Sequence, residues 1–183
     1  MGRSYDAIPD HLTGWMEAQP MFFVATAPLA GDGLVNLSPK GGDTFRVLGA
    51  NRVAYLDLTG SGAETIAHLR ENGRLTVMFC SFDAKPNIVR LYGTGRTVLP
   101  GEPEFDALIH RFSANPGARA IITLDVNRVG SSCGYAVPFM ELAGPRTRLD
   151  DWAAAKGDEA LDAYRAEKNA ISIDGLPALA DPA

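Results

Sequence analysis

Short apolar runs alternate along the chain with breaks that contain glycine and proline. We predict seven of these runs, rich in β-branched and aromatic residues, as strands: 21–26, 34–38, 45–48, 53–57, 75–79, 88–98 and 121–129. Most connections between them are too short for a crossover helix, which argues against parallel βαβ units. The pattern therefore favours a closed or nearly closed antiparallel barrel.

A few segments carry their apolar residues at helical spacing instead. Residues 6–18 are predicted as a short amphipathic helix, and 104–113 as another. A helix over about 63–71 ends at Asn72-Gly73, where glycine is favoured after a helix. A last helix over 150–169 is interrupted near Gly157. We expect one domain over 1–183, with a barrel core at about 20–130 and a C-terminal helical extension at about 145–183.

Composition narrows the classes of partner. The 183 residues are 46% hydrophobic and 21% charged, as in globular proteins, and the net charge of −5 argues against a nucleic-acid partner. No apolar run is long enough to span a membrane, and the first residues lack the apolar core of a signal peptide. We therefore expect a cytoplasmic protein in which Cys80 and Cys133 are free thiols.

Two segments close together in the sequence can hold an anion. Ser38-Pro39-Lys40-Gly41 places a lysine at the end of a predicted strand, and Thr59-Gly60-Ser61-Gly62 opens a predicted helix. The free N–H groups of a helix start carry partial positive charge, which suits a phosphate. For Lys40, the alternative is an ordinary exposed lysine in a turn.

The helix start has two interpretations. Ser61 and Glu64 fit a capping box, in which both side chains simply close the helix start. In the other interpretation Ser61 and Thr65 contribute hydroxyl groups to a phosphate site, although the Glu64 carboxylate would repel the phosphate if it pointed there. The sequence leaves both open.

The remaining motifs indicate no further chemistry. No GxGxxG or P-loop pattern occurs, and the three histidines are not at metal-ligand spacing, so we predict no metal site. Gly93-Thr94-Gly95 lies inside a predicted strand and indicates a bulge. The 130–135 segment lacks the GxSxG pattern of hydrolases and is predicted as a turn of small residues, in which Cys133 and Tyr135 could line a pocket.

Taken together, SPKG after a strand, a hairpin, the TGSGxET helix start, and RLTVMF followed by IVRLYGTGR resemble the pyridoxamine 5′-phosphate oxidase-like family. The resemblance covers roughly 20–130. It implies a mainly β fold, an antiparallel split β-barrel of six to seven strands with a few flanking helices and a C-terminal helix. It also implies FMN as cofactor and a homodimer with the flavin at the subunit interface.

The resemblance assigns roles to particular residues. Lys40 matches a lysine that holds the FMN phosphate, and the 60–65 turn falls where the family binds that phosphate. The strand before Lys40 matches one that runs along the flavin ring, and Arg90 matches a position that meets the partner subunit's flavin. The implied cofactor-binding residues are Asn36, Leu37, Ser38, Lys40, Gly60, Ser61, Thr65 and Arg90.

The chain also departs from the family pattern. The family's Ser-Arg-Lys falls near Ala63, Glu64 and Thr65, so two positive charges are missing, and a usual arginine falls near Val35. The substrate-binding arginine and histidine of true pyridoxamine phosphate oxidases have no counterpart in 165–177, a tail that resembles a bacterial branch of the family. We therefore expect a flavin protein that does not carry out the vitamin B6 reaction.

These inferences lead to an FMN-dependent oxidoreductase acting on an unidentified small molecule. No residue stands out as a general acid or base. The alternatives are a relative that binds haem or the deazaflavin F420 in the same barrel, and a non-catalytic protein that binds or stores flavin.

Overall fold

A computed structural model describes residues 2–180, and its strands form one antiparallel sheet. The strands are β1 Arg3–Tyr5, β2 Met21–Thr26, β3 Asn36–Gly41, β4 Phe45–Gly49, β5 Arg52–Leu58, β6 Arg74–Cys80, β7 Ile88–Val98 and β8 Ala118–Ser132. The helices are α1 Asp10–Glu17, α2 Glu64–Glu71, α3 Pro103–Ile109 and α4 Arg148–Lys168. Seven strands follow the order β3-β2-β6-β7-β8-β5-β4, and β1 pairs with the end of β8. The predicted antiparallel split barrel with flanking helices is confirmed.

Irregularities in the long central strands allow the sheet to bend. The register of β7 against β8 shifts at Gly93, which confirms the predicted bulge. A Cβ atom at Gly93 would collide with the backbone oxygen of Asp125 on β8, so only glycine fits this close approach. Only residues 42–44 separate β3 from β4, so the two end strands of the sheet lie near each other and border the split.

The interior of the half-barrel is apolar because alternate residues of each strand point inward. Phe22, Phe45, Tyr55 and Phe79 form an aromatic cluster there, with ring centroids 4.8–5.5 Å apart. α1 and α2 insert their apolar residues into this interior core. α3 packs instead on the outer surface of β5, β7 and β8, where Ile121 lies at the centre of a second cluster.

The outer surface of β2, β3, β6 and β7 is not part of either core cluster. Two cross-strand rows lie on it, Leu37–Ala25–Thr76–Tyr92–Arg128 and Pro39–Phe23–Met78–Arg90–Gly130. We call this surface the open face. Within residues 2–180, the buried apolar residues of α1 and α2 lie in the interior core and those around α3 lie in the second cluster, so the open face is left without a covering helix.

Several element bounds differ from those predicted. β3 begins at Asn36, two residues later than predicted, and continues through Pro39 and Lys40 to Gly41. Proline is tolerated there because β3 is an edge strand that pairs only with β2. β8 runs on to Ser132, because β1 and β7 pair with the stretch predicted as a turn. Gly157 has a φ of 71°, which confirms the predicted interruption of the last helix.

None of the helices within residues 2–180 combines the length and apolar character that crossing a membrane would require.

Candidate functional site

Lys40 joins a buried cluster of charged side chains. It lies opposite Phe22 on β2, and its Nζ donates to Asp57 Oδ1 at 2.9 Å. Arg119 Nε donates to the other carboxylate oxygen of Asp57 at 2.7 Å. Burial raises the pKa of the Asp57 carboxyl, but Lys40 and Arg119 together hold it below its usual value. Lys40 is therefore not an exposed turn lysine: its ion pair with β5 links the two sides of the split.

The same cluster extends to the turn that precedes α2. Arg119 Nη1 donates to Asn169 Oδ1 at 2.8 Å, and Asn169 Nδ2 donates to the carbonyl oxygen of Gly60 at 2.9 Å. Arg165 Nε donates to Thr59 Oγ1 at 2.9 Å. A continuous chain of hydrogen bonds thus connects Lys40 with the Gly60 turn, through β8 and the end of α4. Sequence reasoning missed Arg119, Arg165 and Asn169, because no motif surrounds them.

Positive charge exceeds negative charge in this cluster. The cations Lys40, Arg119 and Arg165 are paired with two carboxylates, buried Asp57 and exposed Asp162. One positive charge is left over among these five side chains, and the Glu64 carboxylate beside Gly62, in the turn where the sequence predicted an anion, balances it.

The start of α2 does not form a capping box, so that one of the two interpretations of the sequence is wrong. The N-cap residue is Ala63, no side chain caps the helix, and Ser61 lies exposed two residues before it. The Glu64 carboxylate folds back beside Gly62, in the turn that leads into its own helix. A carboxylate is favourable at that end of the helix dipole, and it lies in the region where a phosphate would bind.

Asn36, Ser38 and Thr65, three of the predicted site residues, share one hydrogen-bond network. Asn36 Nδ2 donates to Thr26 Oγ1 and to Thr65 Oγ1, each at 3.0 Å. Ser38 Oγ donates to Asn36 Oδ1 at 2.8 Å. The network lies on the inward side of β3, because Asn36 and Ser38 pair opposite buried residues of β2.

His68 extends this network into the interior, which sequence reasoning did not predict. Its Nδ1 lies 2.9 Å from Thr26 Oγ1, and its buried Nε2 has no partner within residues 2–180. Burial lowers the pKa of His68, and the nearby carboxylates of Asp174 and Glu71 only partly oppose this. The surroundings of His68 therefore favour its neutral form.

Tyr55 is a second buried polar group at this end of the barrel, and its hydroxyl has no hydrogen-bond partner among residues 2–180. Its hydroxyl lies in the interior core, and burial, followed by the charge of Asp57, raises its pKa well above the ordinary value. Lys40 Nζ lies 5.8 Å from the centroid of the Tyr55 ring.

Two predicted residues lie away from these networks. Leu37 points to the opposite side of β3 from Asn36 and Ser38, and belongs to the open face. Arg90 also lies on the open face, with Nη1 3.3 Å from Ser132 Oγ. β7 is three strands away from β3, so Arg90 is roughly 14 Å from that strand within one chain.

A groove of about 380 Å³ opens at the edge of the open face. Its walls are mainly apolar and include Val35, Leu75 and Tyr92, with Arg74 among the lining residues. Thr26 also lines it, so the groove adjoins the network of Asn36 and His68. β3, the strand predicted to run along the ring of a cofactor, therefore lies beside both the polar network and this groove.

Comparison with known proteins gives consistent results. The family described as pyridoxamine 5′-phosphate oxidase has a sequence model that matches residues 8–133. The pyridoxamine 5′-phosphate oxidase family protein ustO of Aspergillus flavus is 42% identical over 194 residues, covering 96% of this chain and 77% of the relative.

Two solved structures show the same fold at low sequence identity. HupZ of Group A Streptococcus superposes with a TM-score of 0.52 at 20% identity, covering 67% of this chain and 91% of HupZ. A protein from Lactobacillus delbrueckii has a TM-score of 0.54 at 17% identity, covering 68% of this chain and 94% of that protein.

Proposed function

The chain belongs to the pyridoxamine 5′-phosphate oxidase family, and we propose that it is an oxidoreductase that binds FMN and acts on a small molecule. The observation that carries the proposal is the cationic cluster of Lys40, Arg119 and Arg165 beside the uncapped start of α2. A phosphate needs positive charge and free N–H donors, and both occur at this turn. The Glu64 side chain would have to turn away from Gly62 to make room for the phosphate. Arg119 and Arg165 would compensate for the two positive charges that the family pattern predicts and Ala63-Glu64-Thr65 lacks.

Different residues of this chain would hold different parts of the cofactor. Lys40, with the turn formed by Gly60 and Ser61, would bind the phosphate. The β3 backbone would lie along the ring system, with the amide and hydroxyl groups of Asn36 and Ser38 fixed by their network. The flavin, when bound, supplies a ring that accepts or donates a hydride or electron pair. The residues of the chain would bind the cofactor and orient it.

We also propose that the active form is a homodimer with the flavin near the subunit interface. The open face lacks a covering helix, and two-fold pairing is the commonest way to cover such a surface. Arg90 and Leu37 lie on this face, so pairing would bring Arg90 of one copy near the cofactor of the other.

A pair of titrations tests the phosphate site. Purified apo-protein is titrated with FMN and with riboflavin, which lacks the phosphate, and binding is followed by flavin fluorescence. FMN should bind more tightly than riboflavin. Arg165→Gln should weaken FMN by roughly ten- to a hundred-fold and leave riboflavin nearly unchanged. Arg111→Gln, at an exposed position that follows α3, is the matched control.

The titrations, an absorbance spectrum and a turnover assay together distinguish the proposed function from its alternatives. Equal affinities for FMN and riboflavin would remove the phosphate site, and no binding of either would overturn the flavin proposal. An absorbance band of the Soret type in the purified protein would favour haem instead. Oxidation of a nicotinamide cofactor with an added electron acceptor would support an enzyme, whereas tight FMN without turnover would indicate a flavin-storing protein.

A further inference from the structure

The segment that connects β8 to α4, residues 133–147, exposes an unusual amount of apolar surface. We call this segment the arm. Four of its large apolar side chains are mostly exposed: Tyr135 by 83%, Phe139 by 80%, Met140 by 61% and Leu142 by 70%. The Met140 N–H is held by the carbonyl oxygen of Phe82 at 3.1 Å, so this part of the arm has a defined position. Large exposed apolar patches are uncommon on monomeric proteins and often mark an interaction site.

The open face has the complementary character. Its two rows consist mainly of apolar or uncharged residues, and their only charged members are the arginines Arg90 and Arg128. Leu37, at the edge, is 65% exposed. The apolar part of the arm carries one charge, the carboxylate of Glu141 between Met140 and Leu142. The apolar part of the arm, residues 135–142, is therefore acidic, with Arg146 lying four residues beyond it, and the open face is apolar and basic.

The arm starts at the rim of the open face and yet does not cover it. Ser132, the last residue of β8, pairs with Ile88 on β7, and its hydroxyl lies 3.3 Å from Arg90 on the open face. Gly134 packs against Ile88 and Asn87. Beyond this point the large apolar side chains of the arm are exposed, as are Leu37 and Tyr92 on the open face, whereas Phe23 and Met78 on that face are half-buried.

We propose that the arm of each copy packs on the open face of a second copy. A two-fold axis through the open face would let both arms bind at once, so that each apolar surface covers the other. Glu141 would then lie against a surface that carries Arg90 and Arg128. Tyr135 and Phe139 would border the groove at Val35 and Tyr92, so each copy would complete the site of its partner. This inference rests on the proposed homodimer, and it does not depend on the identity of the cofactor.

Oligomeric state in solution provides the first test. Sedimentation equilibrium at micromolar concentration should show a dimer for the wild type. Phe139→Ser with Leu142→Ser in the arm should weaken dimerisation by roughly tenfold or more, and so should Tyr92→Ser on the open face. Leu29→Ser with Ile173→Ser, which replaces exposed apolar residues outside both surfaces, should leave the dimer intact. A monomeric wild type, or an arm variant that dimerises as well as the control, would overturn the proposal.

Crosslinking identifies the surfaces in contact. A photo-reactive phenylalanine analogue replaces Phe139, and unlabelled protein is mixed with nitrogen-15-labelled protein before illumination. Crosslinked peptides from β2, β3, β6 or β7 should contain both isotopes, which shows contact between copies. Crosslinks confined to one isotope, or to other strands, would overturn the proposal. FMN binding is measured on the same samples. A dimer that fails to bind flavin contradicts the proposed flavin function and leaves this inference standing. A flavin-binding monomer contradicts this inference and the proposed homodimer, and leaves the proposed flavin function standing.

Discussion

Replacing Lys40 by methionine should separate two roles of this lysine, neutralising Asp57 and binding the cofactor. Methionine keeps much of the aliphatic stem and removes the charge. If Lys40 neutralises Asp57, the protein becomes less stable whether or not flavin is present. If Lys40 also binds phosphate, the folded variant loses FMN affinity in addition.

The expected loss of stability follows from the partners of Asp57. The carboxylate is fully buried and accepts hydrogen bonds from Lys40 at 2.9 Å and Arg119 at 2.7 Å. Because Arg119 remains in the variant, the cost is that of one charge-assisted hydrogen bond, about 1.5–3 kcal/mol. It is smaller than the roughly 3–5 kcal/mol for leaving a buried charge without any partner. Adding Asp57→Asn should deepen the loss, because buried Arg119 would then have no carboxylate partner.

Urea unfolding followed by tryptophan fluorescence measures this difference. With a slope of about 2 kcal/mol per molar urea, the midpoint should fall by about 1 M, whereas Lys85→Met, at an exposed position, should change it little. The pKa of Asp57 is lowered in the folded protein, so its stabilisation is present above the ordinary pKa and is lost as pH falls through the folded value. The gap between wild type and variant should therefore narrow below about pH 4.

Two results would refute this reasoning. A stability loss no larger than that of the Lys85 control would mean that Arg119 alone neutralises Asp57. A clear stability loss with unchanged FMN affinity would leave Lys40 a structural residue and remove it from the cofactor site.

Three further predictions follow from positions described above. Ser61→Ala should change the free energy of unfolding by less than about 0.5 kcal/mol, because Ser61 is not the N-cap, yet weaken FMN in a fluorescence titration; Glu64→Gln should tighten FMN slightly. Gly93→Ala should destabilise the protein by about 1–3 kcal/mol in urea unfolding, whereas Gly14→Ala, with open space around it in α1, should not. The lowered pKa of His68 means that stability should fall as pH drops below about 6.5, and His68→Gln should flatten this dependence in pH-dependent melting.

Much of the fold could be predicted because the order of apolar and polar residues along the sequence reflects which residues of each strand are buried. β2 and β7 have the predicted bounds, and the bulge at Gly93 and the break at Gly157 were visible as isolated glycines. The predicted bounds of β3 and β8 were wrong at the ends that depend on the position of the strand in the sheet or on pairing with another strand. Pro39 stays in a strand because that strand is at an edge, and Ser132 does so because β7 pairs with it.

The candidate site was predictable only in part. Asn36, Ser38 and Thr65 are near one another in the fold because β3 and α2 are both local to the predicted segment. The partners of Lys40 were not predictable, since Arg119 lies on a strand far along the chain and its approach to Asp57 depends on a register shift in β5 against β8. The capping box failed because a matching spacing does not fix the residue at which a helix begins.

Hydrogen bonds between the end of α4 and earlier parts of the chain affect the order in which the protein folds. β3, β5 and α2 are synthesised early, but Arg119 must pair with Asp57 and Asn169 must reach Gly60 before the charged cluster is complete. β1 likewise has no partner until the end of β8 has emerged from the ribosome. Such long-range closures are slow, and they leave strand edges unpaired in the meantime. The cofactor site should therefore be among the last parts to form during biosynthesis, so that flavin can bind only after residue 169 has been added.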